Sequence, residues 1–564
     1  MGRSIRQVVS VRGVRDKIPA IVFWCAAVFL SLCYVGHREL WGSEERWAEI
    51  VREMRLTGDY FHPTINGEPY FDKPLLGYWL IALVAAVTGR LDEWTVRLPS
   101  VLAGFVGLGA TLSLGRRLWS EQQARTAGWI LLSAYGFLFW ARTGEADMEN
   151  LAAIVLAVAW YWARRDKPTF VSYFVFYAIC FVGAHTKGMA AIAVPMVAVL
   201  PDVVRDGRWK SYLSVSHVLA LLLGLLLYAA PFLCADLTRG GYQASGFGAA
   251  FRENLVRYFH PFDHKEPFYV YFYYLPECFF PWIPLLVVSI WAGIGSFRRH
   301  DRATQWLVAS VVLIFLFFTL SGSRRSYYIM PIVPFCSLLA ALYFDLESQE
   351  KPRSRALKIQ AGLLVGVSAF EILSPPLWPA IVPRIGYEVP KHLIAATILL
   401  GLAALLPLVL ERWRPGLMAR ITGSRPNLAP LVATSVILVG GLIIWQQGIL
   451  DTYRTLRPFS LELRSHTANP KADVAFFYQM QGRMLFYINS QKPTRCIRSA
   501  EELKDFLVSP ADVKVLICGV ESHEKLAGLL PQWMSAEPTV KERVYPWETL
   551  KNKHEAWIVP GSGK

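Results

Sequence analysis

Acids and cations recur in this sequence at the ends of its apolar runs. In chain order they are Glu44 and Glu45; Asp72 and Lys73; Arg142, Glu145, Asp147 and Glu149; His185 and Lys187; Arg252, Glu253 and Arg257; His260, Asp263 and His264; and Arg324 with Arg325. Carboxylates serve as general bases or orient an acceptor. Lysine and arginine clamp phosphate oxygens, arginine in bidentate fashion. The adjacent arginines of "SGSRRSYY" suit a phosphate held near the start of a helix. The string H-x-x-D-H formed by His260, Asp263 and His264 has a spacing that could hold a divalent metal, and nothing else in the chain asks for a cofactor. Taken singly, each charge is more simply a solvated loop residue or a structural ion pair. Their number is what favours a shared site.

The elements that would position them are membrane helices. The chain has 564 residues, 54% hydrophobic and only 18% charged, with a mean hydropathy of +0.33. Long uncharged runs recur, as in a polytopic membrane protein. The net charge of +15 is explained by basic cytoplasmic loops and does not call for nucleic acid. Thirteen apolar stretches read as spans, at about 18–36, 95–115, 125–142, 149–163, 169–184, 188–204, 212–232, 276–296, 303–320, 327–345, 357–373, 391–410 and 428–448. The basic start (Arg3, Arg6, Arg12, Arg15, Lys17) has no cleavage signal after it and reads as the flank of a retained helix.

One stretch decides the sidedness. "NGEPYFDKPLLGYWLIALVAAVTG" (66–89) is apolar enough to cross, yet opens on Asp72 and Lys73. If it stays on one side, "GRRLW", "ARRDK", "RDGRWK", "FRRHDR", "KPRSRALK" and "ERWRPGLMAR" all lie inside, as the positive-inside bias requires. If it crosses, all move outside. The bias therefore predicts one long outer loop, about 37–94, carrying two interfacial helices. In the first, Trp47, Ile50, Val51 and Met54 share a face, with Glu45, Glu49, Arg52 and Glu53 elsewhere and an end near Gly58. The charges named above then all sit at the outer face, where ionic groups at membrane depth face a cavity or one another.

Beyond Ile449 hydropathy falls. "DVAFFY", "RMLFYIN" and "KVLICGV" read as strands, "SAEELKDFLVS" and "SHEKLAGLLPQW" as helices. The expected organisation is a membrane domain over 1–450 and an outer α/β domain over 451–564. Cys496 and Cys518 fall in that tail and could pair in an oxidising compartment; the other six cysteines lie in or beside apolar segments.

Lined up, the strings "WGSEERWAEIVREM", "GDYFHPTINGEPYFDKPLLGYW", "ARTGEADMEN", "TKGMAAIAVPMVAVLP", "ENLVRYFHPFDHKEPFYVY" and "SGSRRSYYIMPIVP" resemble the bacterial lipid-linked-sugar glycosyltransferases related to protein O-mannosyltransferases. The motifs are most similar to those of the undecaprenyl-phosphate aminoarabinose transferases that modify lipid A. They arrive in the family's order over residues 37–345; the last third resembles the family only in layout. The resemblance implies a mainly α GT-C fold and a polyprenyl-phosphate sugar donor. It also implies a lipid or glycan acceptor and an active site on the periplasmic face of the bacterial inner membrane. The family's first-loop acidic pair falls on Ser43 and Glu44, so the first acid is missing and Glu44 or Glu45 is left to fill the role. Its acid-lysine-proline element falls on Asp72, Lys73 and Pro74, with Lys73 touching the donor phosphate. The second-loop aspartate falls on Asp147, the threonine-lysine-glycine element on Thr186, Lys187 and Gly188, and the later positions on Arg257, His264 and Tyr328.

The expected machinery is thus Glu44, Asp72 and Asp147 for catalysis, with Lys73, Lys187, Arg257, Arg324, Arg325 and Tyr328 on the phosphate. Glu45, Arg142 and His264 stand beside them. Displacement at the anomeric carbon would invert it. An acceptor of protein or other glycan, or transport of a lipid-linked sugar, are the competing readings. Transporters more often carry internal repeats and broken midplane helices, and no repeat is visible here.

Overall fold

The computed structural model describes residues 17–238, 242–260, 264–345, 351–381, 391–446, 455–544 and 553–560. A helix lies at each of the thirteen apolar stretches. Six helices among the described residues are long and apolar enough to cross a membrane, including Glu93–Leu118, Val215–Thr238, Arg302–Leu320 and Lys391–Trp413. The chain is a multi-pass membrane protein. Two stretches are broken: 125–142 into Glu121–Leu132 and Tyr135–Ala141, and 276–296 into Tyr271–Phe279 and Ile283–Gly295. At the first break Ser133 Oγ accepts a 3.0 Å bond from Trp282 Nε1, which ties the two breaks together.

The helix Leu76–Thr88 has 13 residues. At about 1.5 Å per residue it is roughly 20 Å long, short of the roughly 30 Å hydrocarbon core. It is docked at its start: Leu76 N donates to His185 O at 3.2 Å. A Cβ on Gly77 would lie only 2.2 Å from the Trp47 ring, so glycine permits this approach.

The other loop helix, Glu44–Thr57, ends at Gly58 with φ 75°, as the sequence predicts. Trp47, Ile50, Val51 and Met54 are buried. Its polar side is covered too, which departs from an interfacial helix facing water. Glu44, Glu45, Glu49 and Glu53 are all buried, because partners neutralise them. Arg52 pairs with Glu49 at 2.7 Å, and Glu53 accepts from Gly67 N at 3.2 Å. Gly67 belongs to a hairpin, β1 (Thr64–Ile65) and β2 (Glu68–Pro69), turned on Asn66 (φ 55°) and Gly67 (φ 78°). Two positive φ values are the signature of the tight Asn-Gly hairpin turn.

The tail forms a five-stranded sheet in the order β4-β3-β5-β7-β6, with β3 Ala472–Phe477, β4 Arg495–Ile497, β5 Val513–Gly519, β6 Val540–Lys541 and β7 His554–Pro560. The strands β4, β3 and β5 run parallel; β7 pairs antiparallel with β5, and β6 antiparallel with β7. β3 and β5 match the sequence reading. "RMLFYIN" does not: Gly482–Ile488 is a helix, ended by Asn489 at φ 51°. A short apolar run has no decisive period, and here it serves two cores. Met484, Leu485 and Ile488 enter the sheet core, while Phe486 and Tyr487 enter that of the loop that carries Glu44–Thr57 and Leu76–Thr88. All eight cysteines are free. Cys496 and Cys518 sit on β4 and β5 with β3 between them, about 9.5 Å apart by strand spacing, beyond disulfide reach.

Candidate active site

The docking of Leu76 on His185 brings two distant lysines together. Lys73 precedes one helix, Lys187 follows another, and both line a single cavity of about 660 Å³. Thr186 Oγ1 donates to Gly183 O at 2.6 Å, and Asn150 Nδ2 to Gly188 O at 3.2 Å, which fixes the turn that aims Lys187. Asp147, Glu253, Arg257 and Tyr328 complete the polar part of the wall. The remainder is largely aromatic, with Phe247, Phe251, Phe259, Phe317 and Phe318. A charged head beside an apolar groove suits an amphiphile.

The charges are arranged in pairs. Lys187 makes an ion pair with Asp147, and its Nζ lies 4.4 Å from the Tyr327 ring centre and 5.7 Å from that of Tyr328. Burial opposes the Lys187 cation, yet Asp147 with the two tyrosines and Glu145 holds its pKa above the ordinary lysine value. Glu253 reaches two cations: its Oε2 is 2.7 Å from Arg257 Nη1 and 3.8 Å from Lys73 Nζ. Asp72 is not in the cavity wall. It accepts from Lys73 Nζ at 3.3 Å, Tyr78 OH at 3.2 Å and Tyr70 OH at 3.4 Å, and Tyr70 OH in turn accepts from Arg46 at 2.5 Å. Asp72 therefore steadies Lys73.

Other expected site residues lie elsewhere. Glu44 is fully buried and saturated: Arg97 Nε and Nη2 donate to its two oxygens at 2.8 and 2.7 Å, Trp41 N at 2.8 Å and Gly144 N at 2.5 Å. Burial alone would raise its pKa, but Arg97 holds it below the usual carboxylate range. Arg142 donates to Leu30 O and Cys33 O at 2.6 and 2.7 Å and so ties the first helix to the bundle. Arg324 donates to Glu266 O at 2.6 Å and Thr319 O at 2.9 Å; it fastens a loop, with His264 O accepting from its backbone at 2.9 Å. Arg325 stands nearer, donating to Tyr327 OH at 2.8 Å. Of the H-x-x-D-H string, Asp263 lies outside the described residues, and no three potential metal ligands meet among the described ones.

Glu45 faces Arg483 of the tail at 3.8 Å. Burial pushes its carboxyl up to about 7 from 4.5, with Arg483 opposing and Glu39 and Glu44 reinforcing the shift. A folded-state value above the unfolded one means the folded chain keeps this proton longer. The stability it contributes is whole below the unfolded value and is lost as pH rises toward 7. Melting temperature is expected to fall between about pH 5 and about pH 8, by on the order of 3 kcal/mol in stability from this group, and Glu45→Gln to flatten the fall. A thermal shift series across pH checks it. Glu145, two residues before Asp147, lies outside the cavity wall. It accepts from Ser43 N at 3.0 Å, and burial, against Lys187 and with Asp147, pushes it up to about 7.

Of the residues singled out from the sequence, Asp147, Lys73, Lys187, Arg257 and Tyr328 line one cavity. Sequence reasoning missed Asn150, the bridging role of Glu253, the Arg46–Tyr70 support and Arg97. Tyr327 was visible beside Tyr328 in "SYY"; the others carry no local signal, since only the fold gives them partners.

Residues 72–234 match the family described as dolichyl-phosphate-mannose-protein mannosyltransferase. The undecaprenyl phosphate-alpha-4-amino-4-deoxy-L-arabinose arabinosyl transferase of Aeromonas salmonicida (strain A449) is 32% identical over 371 residues, covering 62% of this chain and 65% of that protein. The protein of the same description in Edwardsiella ictaluri (strain 93-146) is 28% identical over 393 residues, covering 67% and 70%. The chain thus spans just under two thirds of the length of the Aeromonas relative it matches. In fold it is similar to the crystal structure of ArnT from Cupriavidus metallidurans bound to undecaprenyl phosphate, with TM-score 0.70 and 19% identity over 95% of this chain and 97% of that one. The fold is the GT-C fold expected from the sequence, with a small sheet at the carboxyl end.

Proposed function

We propose, from the chain's place among the aminoarabinose-transferase and protein O-mannosyltransferase relatives, that it is a glycosyltransferase using a polyprenyl-phosphate sugar. The acceptor on this reading is lipid A or another lipopolysaccharide component, and transfer takes place on the periplasmic face of the bacterial inner membrane. The observation that carries the reading is the cavity. Three cations, Lys73, Lys187 and Arg257, line it with Tyr328, and phenylalanines form much of the rest of its wall. A phosphate on a long isoprenoid fits both parts.

In this mechanism an acceptor oxygen attacks the anomeric carbon from the side opposite the phosphate, inverting it. The bond from that carbon to the phosphate oxygen breaks, and its electron pair leaves with the polyprenyl phosphate. Lys73, Lys187 and Arg257 stabilise the negative charge as it grows, where fixed charge contributes most. Asp147 faces the reacting centre and orients the acceptor or steadies positive charge on the sugar. A hydroxyl acceptor must lose a proton, and Asp147, a carboxylate of the cavity wall, is placed to receive it; an already ionised phosphate acceptor needs no base. Glu44 acts through the first loop that it anchors, and Asp72 through Lys73. No metal step is invoked. The organisation as a membrane domain over 1–450 with an outer domain over 451–564 belongs to the same reading.

The match over 72–234 to a protein mannosyltransferase family favours a protein acceptor as the second reading. Purified protein incubated with radiolabelled undecaprenyl-phosphate sugars and either lipid A or periplasmic protein separates the two. Label is expected on lipid A. Label on protein alone selects the second reading, and label on neither overturns the assignment as a transferase.

A further inference from the structure

The hairpin that leads into Lys73 is held from the far end of the chain. Asn66 Oδ1 accepts from Thr494 N at 2.6 Å and from Thr494 Oγ1 at 2.9 Å, and Asn66 Nδ2 donates to Thr494 O at 2.9 Å. Beside it, a Cβ on Gly67 would come within 2.9 Å of Pro493 Cγ. From this turn the backbone runs directly through β2 to Asp72 and Lys73.

A second set of bonds grips the loop helix and its flanks. Arg52 Nη1 donates to Ser490 O at 2.7 Å. The Tyr487 hydroxyl accepts from Leu40 N at 2.9 Å and donates to Glu93 Oε1 at 3.1 Å. Phe486 and Tyr487 are part of the outer loop's own core, and Ile65 of β1 packs against the sheet core. A domain merely resting on the surface would not share its core.

We infer that the tail segment 483–494 is a positioning element of the donor site: Thr494 and Tyr487 hold the hairpin and first loop so that Lys73 meets the donor phosphate. This rests on the proposed polyprenyl-phosphate donor. The tail touches none of the reacting atoms. Its effect comes from geometry, since displacement of a catalytic group by about 1 Å costs up to roughly 10²-fold in rate.

Asn66→Gly tests it in the full-length protein. Glycine adopts the positive φ freely, so the turn survives while all three side-chain bonds to Thr494 go. Asn66→Asp keeps the acceptor for Thr494 N and Oγ1 and serves as the rescue. Two readouts are taken in detergent: hydrogen exchange of residues 64–75 without ligand, and the affinity for undecaprenyl phosphate. Asn66→Gly is expected to melt near the wild type, to exchange faster over 64–75, and to bind undecaprenyl phosphate about tenfold more weakly. Asn66→Asp is expected to restore most of both. Unchanged exchange over 64–75 overturns the clamp, whatever the donor proves to be. Faster exchange with unchanged affinity overturns its link to the site. A wild type that binds no undecaprenyl phosphate, with faster exchange in the variant, overturns the donor reading and leaves the clamp standing. If Asn66→Gly fails to fold, Tyr487→Phe, which loses only the hydroxyl, is read by the same measurements.

Discussion

Lys187→Met is expected to lower sugar transfer roughly 10²–10³-fold, corresponding to about 3–4 kcal/mol of lost transition-state stabilisation. Methionine keeps most of the volume and removes the charge. The cation lines the cavity, ion-paired to Asp147 and covered by the Tyr327 ring. It would stabilise the negative charge that grows on a departing phosphate. Removing one partner of a half-sequestered pair also leaves Asp147 uncompensated, which destabilises the fold in its own right. The double variant Lys187→Met with Asp147→Asn separates the two effects. It has no orphan charge, so its melting temperature is expected to return toward wild type while transfer stays lost. A double variant that regains transfer along with stability would mean the pair only holds the bundle together.

Arg97→Ala is expected to cost about 3–5 kcal/mol, the usual consequence of breaking a buried pair. Arg97 uses every N–H of its guanidinium. Nε and Nη2 serve Glu44; Nη1 donates to Val35 O and Arg38 O at 2.7 and 2.8 Å, and Nη2 also to Glu39 O at 2.8 Å. It joins the first helix's exit, the loop helix and the Glu93–Leu118 helix at one point. The same reasoning changes the part given to Glu44. If it is an anchor, Glu44→Gln lowers the melting temperature, yet transfer per folded molecule stays within about threefold of wild type, since no reacting group is touched. Arg97→Ala and Glu44→Gln would then fail in the same way. Glu44→Gln melting normally with no transfer would instead return Glu44 to the chemistry.

The contrast between Glu44 and Asp147 shows what a sequence carries. Both are acids at helix starts in motif strings, and nothing in their local spacing tells a sealed ion pair from a cavity wall. What separates them is Arg97, 53 positions from Glu44, and Lys187, 40 from Asp147. The long apolar runs, by contrast, each coincide with a helix, because a backbone withdrawn from water must satisfy its own polar groups. The positive-inside count placed Lys73, Lys187, Asp147 and Arg257 on one side, and one cavity does hold all four. The sequence misled at Arg324 and Arg142, where a guanidinium at the end of an apolar run invites an anion. In both, backbone carbonyls take the donors, and a carbonyl has no sequence signature. "RMLFYIN" misled for a related reason: its residues serve two cores, and periodicity describes only one.

The account turns on recognition of a lipid phosphate by Lys73 and Arg257, and equilibrium binding measures that without turnover. Purified wild-type protein is titrated with undecaprenyl phosphate and with undecaprenol, alongside Lys73→Ala and Arg257→Ala. The account predicts clear preference for the phosphate in the wild type and at least about tenfold weaker phosphate binding in each variant, as charge-assisted bonds to phosphate require. Equal affinity for phosphate and alcohol, or phosphate binding untouched by both substitutions, would contradict it.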